Sequence, residues 1–257
     1  MTKVKGIILA GGNGTRLKPM TDIISKQLLP IYNKPMIYYP LSVLKNAGIK
    51  EILIITKPEE RDFFVKLLGD GSNFGIRLDY ITQDKPKGIA EAFIIAKDWL
   101  QNSNSLMILG DNLFFGLGLK KLLQRIIKKP KGATIFAYEV SDPHRYGVVS
   151  FDNNKRAKSI IEKPKVTKSS WAVTGLYYYD SNVTGYAELL KPSKRGELEI
   201  TDLNKRYLKE KKLDVEILGS GFTWLDTGTP DSLLEAANFV KIIESRQGLL
   251  IGDPNSN

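Results

Sequence analysis

Val4-Lys-Gly-Ile-Ile-Leu-Ala-Gly-Gly-Asn-Gly-Thr-Arg16 joins an apolar run to three glycines and a fixed positive charge. The run from Val4 to Ala10 lacks the alternation of a half-solvated strand, so it reads as a strand buried on both faces, as in parallel sheets. Gly11, Gly12 and Gly14 at its carboxyl end permit positive φ and leave backbone N–H groups open to a ligand. Arg16 and Lys26, the latter in Lys26-Gln-Leu-Leu-Pro30, set cations beside that nest of amides, an arrangement that holds a polyphosphate. Spacing excludes two commoner phosphate loops. The dinucleotide pattern G-x-G-x-x-G fails at Leu17, and the Walker pattern G-x-x-x-x-G-K-[ST] is absent. Pro19 and Pro30 also keep the loop from opening directly into a long helix.

A chain of 257 residues is long enough for one large α/β domain with a substantial core. Its 42% hydrophobic and 26% charged residues are ordinary for a soluble globular protein. No apolar run reaches the length of a membrane helix, and Met-Thr-Lys-Val-Lys at the start opens a strand rather than a signal peptide. A cytoplasmic protein with no membrane partner is expected. The absence of cysteine removes disulfides, thiolate nucleophiles and Cys-based metal sites; a single histidine, His144, argues against a His-rich zinc site. Lys and Arg outnumber Asp and Glu by 38 to 28, giving a net charge of +10. The basic residues are dispersed in pairs such as Lys120-Lys121 and Lys211-Lys212 without interleaved aromatics, so no nucleic-acid partner is expected. A diffuse positive field instead draws in small polyanions.

Strand and helix signals alternate through the first half, with strands at 51–56, 78–83 and 105–109 and helices near 59–68, 89–100 and 117–127. That rhythm implies a parallel sheet covered on both faces, with strand carboxyl ends on one edge, where ligands bind. Closely spaced strand candidates follow at 133–140, 147–151, 159–162 and 172–179, then helices near 182–190, 200–210 and 232–246. The expected fold class is α/β: a Rossmann-like, mixed but mainly parallel sheet flanked by helices. No Ser/Gly-rich linker interrupts residues 1–257, so one domain is expected, with a frayed tail from Gly252.

Residues 6–44 resemble the sugar-1-phosphate nucleotidyltransferases, closest to their thymidylyl-transferring branch. So do Leu68-Gly-Asp-Gly-Ser72, Ile108-Leu-Gly-Asp-Asn112, Asp142-Pro-His-Arg-Tyr-Gly147, Glu162-Lys-Pro164, Ala172-Val-Thr-Gly-Leu-Tyr177, Arg195-Gly-Glu-Leu-Glu-Ile-Thr-Asp202 and Trp224-Leu-Asp-Thr-Gly228. The likeness runs over residues 4–247. It implies a fold of the nucleotide-diphospho-sugar transferase type, with a nucleotide-binding lobe to residue 140, a sugar-phosphate lobe over 141–230 and a closing helix to 247. It implies transfer of dTMP from dTTP to α-D-glucose 1-phosphate, giving dTDP-glucose and pyrophosphate, in a homo-oligomer that is a tetramer or a dimer. UTP or another hexose 1-phosphate, or a non-catalytic sugar-nucleotide-binding protein, remain open. Longer members of the family carry further C-terminal helices; this chain reads as a short form, which puts the family's end-product regulatory site in question.

Nucleotidyl transfer is an in-line attack of one phosphate on another, so the protein positions two polyanions and neutralises charge, usually with Mg²⁺. Mg²⁺ takes one or two carboxylates plus phosphate oxygens and water. Asp111 follows an apolar strand and a glycine, and Asp226 follows Phe222-Thr-Trp-Leu225; the resemblance makes both metal ligands. It assigns the nucleotide to Leu9, Ala10, Gly11, Gly12, Gly14, Thr15, Arg16, Gln27, Gln83 and Gly88, with Gln83 on the pyrimidine edge. Arg16 clamps the β- and γ-phosphates, because a planar fork suits phosphate. Lys26 approaches the α-phosphate and the incoming sugar phosphate, and Lys163 anchors the sugar 1-phosphate. Asp111, Tyr146, Gly147, Glu162, Lys163 and Val173 match the hexose positions. Arg16, Lys26 and Lys163 are thus the expected catalytic residues. Tyr177-Tyr-Tyr179 alternates on a strand and reads as packing, and His144 reads as a surface residue, since an ionised phosphate needs no general base.

Overall fold

The computed structural model describes residues 3–255, and its contacts divide the chain into two compact units. One holds Lys5–Pro86, Ile108–Gln124 and the chain from Phe222 onward; the other holds Lys87–Met107, Arg125–Gly221 and the first described residues. The chain therefore passes between the two units several times.

In the unit built on the glycine loop, the strand Val4–Leu9 pairs in parallel with Glu51–Thr56, from Gly6↔Ile52 to Leu9↔Ile55. Glu51–Thr56 pairs in parallel with Arg77–Thr82. Ile7, Ile8 and the four residues 52–55 expose no surface. Each such aliphatic side chain contributes about 1.5–3 kcal/mol on burial, which is why these strands are apolar without alternation. Phe64 and Leu68, four residues apart on the helix Arg61–Leu68, bury one face of that helix. A helix at Tyr38–Asn46 had no clear signal because Pro40 reads as a breaker. It lies in the first turn, where no intrahelical donor is lost.

The same unit carries an antiparallel ribbon of Asn112–Gly116 with Phe222–Asp226, in register from Phe222↔Gly116 to Asp226↔Asn112. Behind it the closing helix Pro230–Gln247 starts with a reciprocal cap. Thr229 N–H donates to Ser232 Oγ (3.0 Å) and Ser232 N–H donates to Thr229 Oγ1 (3.3 Å). The tail from Gly252, expected to fray, is tied to the fold as far as Pro254. Ile251 packs with Ile31, Met36, Tyr39, Leu113, Ala236 and Val240, its N–H donates to Glu244 Oε1 (3.1 Å), and Lys45 Nζ donates to the Pro254 carbonyl. Ser256 and Asn257 lie outside the described residues.

The second unit is mostly antiparallel. Trp171–Tyr179 pairs with Ala133–Glu139 and, at Ala172↔Val148, with Gly147–Phe151; the latter pairs with Ala157–Glu162. Leu213–Leu218 adds a parallel neighbour to Ala133–Glu139. Tyr177, Tyr178 and Tyr179 are buried as expected, and the Tyr179 ring meets Phe93 edge-on with centroids 5.1 Å apart. The helix expected over 89–100 is two short ones, Glu91–Ile95 and Lys97–Leu100, separated at Ala96. The chain is thus a mixed α/β fold with helices flanking its parallel strands. Among the described residues, no helix is long and apolar enough to cross a membrane.

Candidate active site

The glycine loop leaves the carboxyl end of the first strand, where Ala10 N–H donates to the Ile55 carbonyl (2.7 Å) and Gly110 N–H donates to the Leu9 carbonyl (2.9 Å). All three glycines permit positive φ, and of them Gly14 alone uses it, taking a left-handed conformation (φ 60°). Gly14 opens the short turn Thr15–Leu17, and its carbonyl accepts from Leu17 N–H (2.9 Å) and Thr21 Oγ1 (2.8 Å). Gly11 serves a different purpose: a Cβ there would lie 2.8 Å from Gln83 Oε1 and displace that amide. The Gln83 side chain is therefore against the loop, and Gln83 is only 4% exposed. Gln27 is buried as well and accepts a hydrogen bond from Ser25 Oγ (2.7 Å).

Asp111 follows the strand Asn104–Leu109 and is the centre of a dense polar cluster. Lys26 Nζ pairs with its Oδ2, and Asn112 Nδ2 donates to its Oδ1 (3.0 Å). Trp224 Nε1 donates in turn to Asn112 Oδ1 (2.6 Å), which fixes the amide orientation. Burial pushes the Asp111 carboxyl up, but the Lys26 charge and the hydrogen bonds from Lys26 and Asn112 outweigh it and hold the group below the usual carboxylate range. Asp226 pairs with Asn112 across the ribbon, and Thr227 donates to the Asp111 carbonyl through both N–H (3.1 Å) and Oγ1 (2.7 Å). The two aspartates therefore stand at neighbouring backbone positions. Gly228 completes the cluster by close approach: a Cβ there would lie 2.6 Å from Arg16 Nη2 and 3.1 Å from Asp226 Oδ1. Arg16, Asp226 and Gly228 thus share one small space.

The second unit carries the other predicted residues. Glu162 pairs with Gly147 across the strands, and its Oε2 accepts from Thr201 Oγ1 (2.5 Å). A Cβ on Gly147 would lie 3.0 Å from Thr201 Oγ1, 3.4 Å from Glu162 Oε2 and 3.9 Å from Val173 Cβ, so these four residues stand close together. Arg195 Nη2 donates to both oxygens of Glu199 (2.9 Å each) and reaches Glu162 Oε1 (3.4 Å), while its Nε donates to Glu199 Oε1 (3.2 Å). The Arg145 guanidinium stacks over the Tyr146 ring, 5.5 Å from its centroid. Gly88 is left-handed (φ 109°) and packs on the Leu198 backbone, leaving no room for a side chain.

A family model described as nucleotidyl transferase matches residues 5–242. The chain belongs to the nucleotidyl transferase family. A glucose-1-phosphate thymidylyltransferase of Neisseria gonorrhoeae is 58% identical over 248 residues, 96% of this chain and 86% of that one. One from Xanthomonas campestris pv. campestris is 54% identical over 254 residues, 99% of this chain and 86% of that one. Among solved structures, a putative glucose-1-phosphate thymidylyltransferase from Bacillus anthracis, in complex with a sucrose, superposes with a TM-score of 0.85 at 44% identity, covering 92% of this chain and 94% of its own. A UDP-glucose pyrophosphorylase bound to UDP-glucose gives 0.81 at 25% identity, covering 93% and 98%.

Several residues of this nucleotidyltransferase escaped the sequence reading. Thr227 and Trp224 tie the Asp111 and Asp226 strands together, Thr201 and Arg195 reach Glu162, and Glu199 holds Arg195. Their signal was the motifs Trp224-Leu-Asp-Thr-Gly228 and Arg195-Gly-Glu-Leu-Glu-Ile-Thr-Asp202, which carry hydrogen-bonding side chains between the predicted ligands. His144, expected as a plain surface residue, is exposed but hydrogen-bonds through Nδ1 to the Pro164 carbonyl (2.8 Å). Among the described residues, no cluster of three or more His, Asp or Glu side chains is poised for a metal. The Asp111–Asp226 pair supplies two hard carboxylate donors, a set that suits a cation completed by phosphate oxygens and water.

Proposed function

We propose that this nucleotidyltransferase transfers dTMP from dTTP to α-D-glucose 1-phosphate, releasing pyrophosphate. The observation that carries the reading is the pairing register that brings Asp226 beside Asp111, with Lys26 and Arg16 as the cations of the same cluster. The identity to thymidylyltransferases over nearly the whole chain supports the choice of substrates.

The attacking phosphate is already ionised, so the work lies in alignment and charge neutralisation rather than proton transfer. Arg16 offers its planar fork to the β- and γ-phosphates and to the departing pyrophosphate. Lys26, paired with Asp111, transfers part of its charge interaction to the α-phosphate, where negative charge grows as the new bond forms. Asp111 and Asp226 would hold Mg²⁺, which when bound neutralises triphosphate oxygens and polarises the reacting phosphorus. Gln83 and Gln27 present buried amides to the base; a base that leaves such a group unpaired binds poorly, which gives selectivity without bulk. In the second unit Glu162, Gly147, Val173 and Tyr146 take the hexose, and Lys163 takes its phosphate.

The test is Asp226→Asn, which keeps the shape and removes the charge. Turnover should fall about 100-fold or more, with unchanged thermal stability and weaker Mn²⁺ binding by electron paramagnetic resonance. Wild-type turnover and Mn²⁺ affinity would refute the metal role.

A further inference from the structure

We propose that His144, the only histidine in the chain, is a positioning residue that fixes the backbone at Lys163 and so aims its ammonium at the phosphate of the sugar substrate. This rests on the reading that Lys163 anchors that phosphate. The strand Ala157–Glu162 ends at Glu162, and the next residue, Lys163, takes a left-handed conformation (φ 41°). That conformation is disfavoured for a residue with a Cβ, and a following proline restricts the residue before it further. Such a backbone persists only where the surroundings over-determine it.

Two hydrogen bonds do so, one on each side of Lys163. Its own N–H donates to the Tyr146 carbonyl (3.0 Å), and the Pro164 carbonyl accepts from His144 Nδ1 (2.8 Å). His144 lies in the short turn Pro143–Arg145 and Tyr146 is the residue that caps it, its N–H donating to the Pro143 carbonyl (3.1 Å). The turn and the Lys163 segment are thus joined at two points. The Lys163 side chain itself is half exposed and its Nζ is 4.0 Å from Glu162 Oε1, too long for a locked contact. Its direction is therefore set by the backbone that bears it. Pro164 is buried, so its carbonyl has little alternative partner when the imidazole is removed. A carbonyl acceptor requires a proton on Nδ1, and both the Nδ1–H neutral tautomer and the imidazolium supply it.

The position of the donor atom gives a specific test. In His144→Asn the amide Nδ2 stands where Nδ1 stood; in His144→Gln it lies one carbon further, where Nε2 stood; in His144→Ala it is gone. With the full chain, KM is measured separately for glucose 1-phosphate and dTTP, and amide exchange is followed in the peptide over residues 162–166. His144→Ala should raise KM for glucose 1-phosphate about fivefold, the factor of one ordinary net hydrogen bond. KM for dTTP should be unchanged, and the Lys163 amide should exchange faster. His144→Asn should restore both readouts and His144→Gln neither. Lys163→Met should raise the same KM on its own while leaving exchange near wild type, and His144→Ala should add nothing to that KM effect in its background. Unchanged exchange in His144→Ala overturns the brace. Faster exchange with unchanged KM overturns the aiming role, and equal rescue by Gln and Asn overturns the Nδ1 contact. An unchanged KM in Lys163→Met overturns the anchor reading and the aiming role with it, while the exchange data still judge the brace.

Discussion

Gly228→Ala probes the Arg16 clamp without replacing a charged residue. Gly228 is not among the positive-φ glycines, so alanine enters without backbone strain. Its Cβ would stand 2.6 Å from Arg16 Nη2, 3.2 Å from Arg16 Cζ and 3.1 Å from Asp226 Oδ1. Ordinary contact is near 3.5–4 Å, so the guanidinium must retreat by about 1 Å. The end of a long side chain can make that move cheaply, and Gly→Ala lowers the entropy of the unfolded chain by a few tenths of a kcal/mol or more. The melting temperature should therefore stay within a few degrees. Activity should not, because a misplacement of about 1 Å costs up to roughly 100-fold where a group is preorganised against growing charge. We expect kcat for pyrophosphate release to fall about 10- to 100-fold, equivalent to about 1.4–2.7 kcal/mol of transition-state stabilisation. Steady-state pyrophosphate release should be compared for Gly228→Ala, Arg16→Ala and the double variant. If the alanine acts through Arg16, it adds almost nothing once Arg16 is gone. Wild-type kcat in Gly228→Ala, or additive losses in the double variant, would refute the reasoning.

Gly11→Ala should push Gln83 away from the loop and raise KM for dTTP about tenfold, leaving KM for glucose 1-phosphate unchanged, as separate substrate titrations would show. Glu244 offers a stability test. Burial pushes its carboxyl up, but hydrogen bonds from Lys34, the Ile251 N–H and Asn33, with the Lys34 charge, hold it below the usual glutamate range. Its contribution is therefore complete above the ordinary glutamate pKa and lost as pH falls through the lowered value. Urea unfolding should show Glu244→Ala about 2–3 kcal/mol less stable at neutral pH, with a gap that narrows below pH ~4.

Much of this was legible in the chain because buried strands and motif residues announce themselves locally. The run Val4–Ala10 named its strand, and Glu51–Thr56 and Gly147–Phe151 match the expected limits. Asp111 was readable because an apolar strand and a glycine deliver it to the strand's carboxyl end. Partnerships across sequence distance were not readable. Nothing near Asp226 states that it will pair with Asn112, or that Trp224 will orient the Asn112 amide. The strand Leu213–Leu218 was missed because Asp214 and Glu216 alternate with apolar residues in a charged context that suits a surface loop equally well; pairing with Ala133–Glu139 decides it. The glycine loop shows the same division. Composition identified a turn built for close approach, but only the fold distinguishes Gly14, needed for its φ, from Gly11, needed for the space that Gln83 takes.

The central claim is tested most directly by pyrophosphate release from a matrix of nucleoside triphosphates against sugar 1-phosphates, with and without Mg²⁺. The account predicts the highest kcat/KM for dTTP with glucose 1-phosphate and no turnover without the cation. Equal or better turnover with UTP and N-acetylglucosamine 1-phosphate, or undiminished release without Mg²⁺, would contradict it.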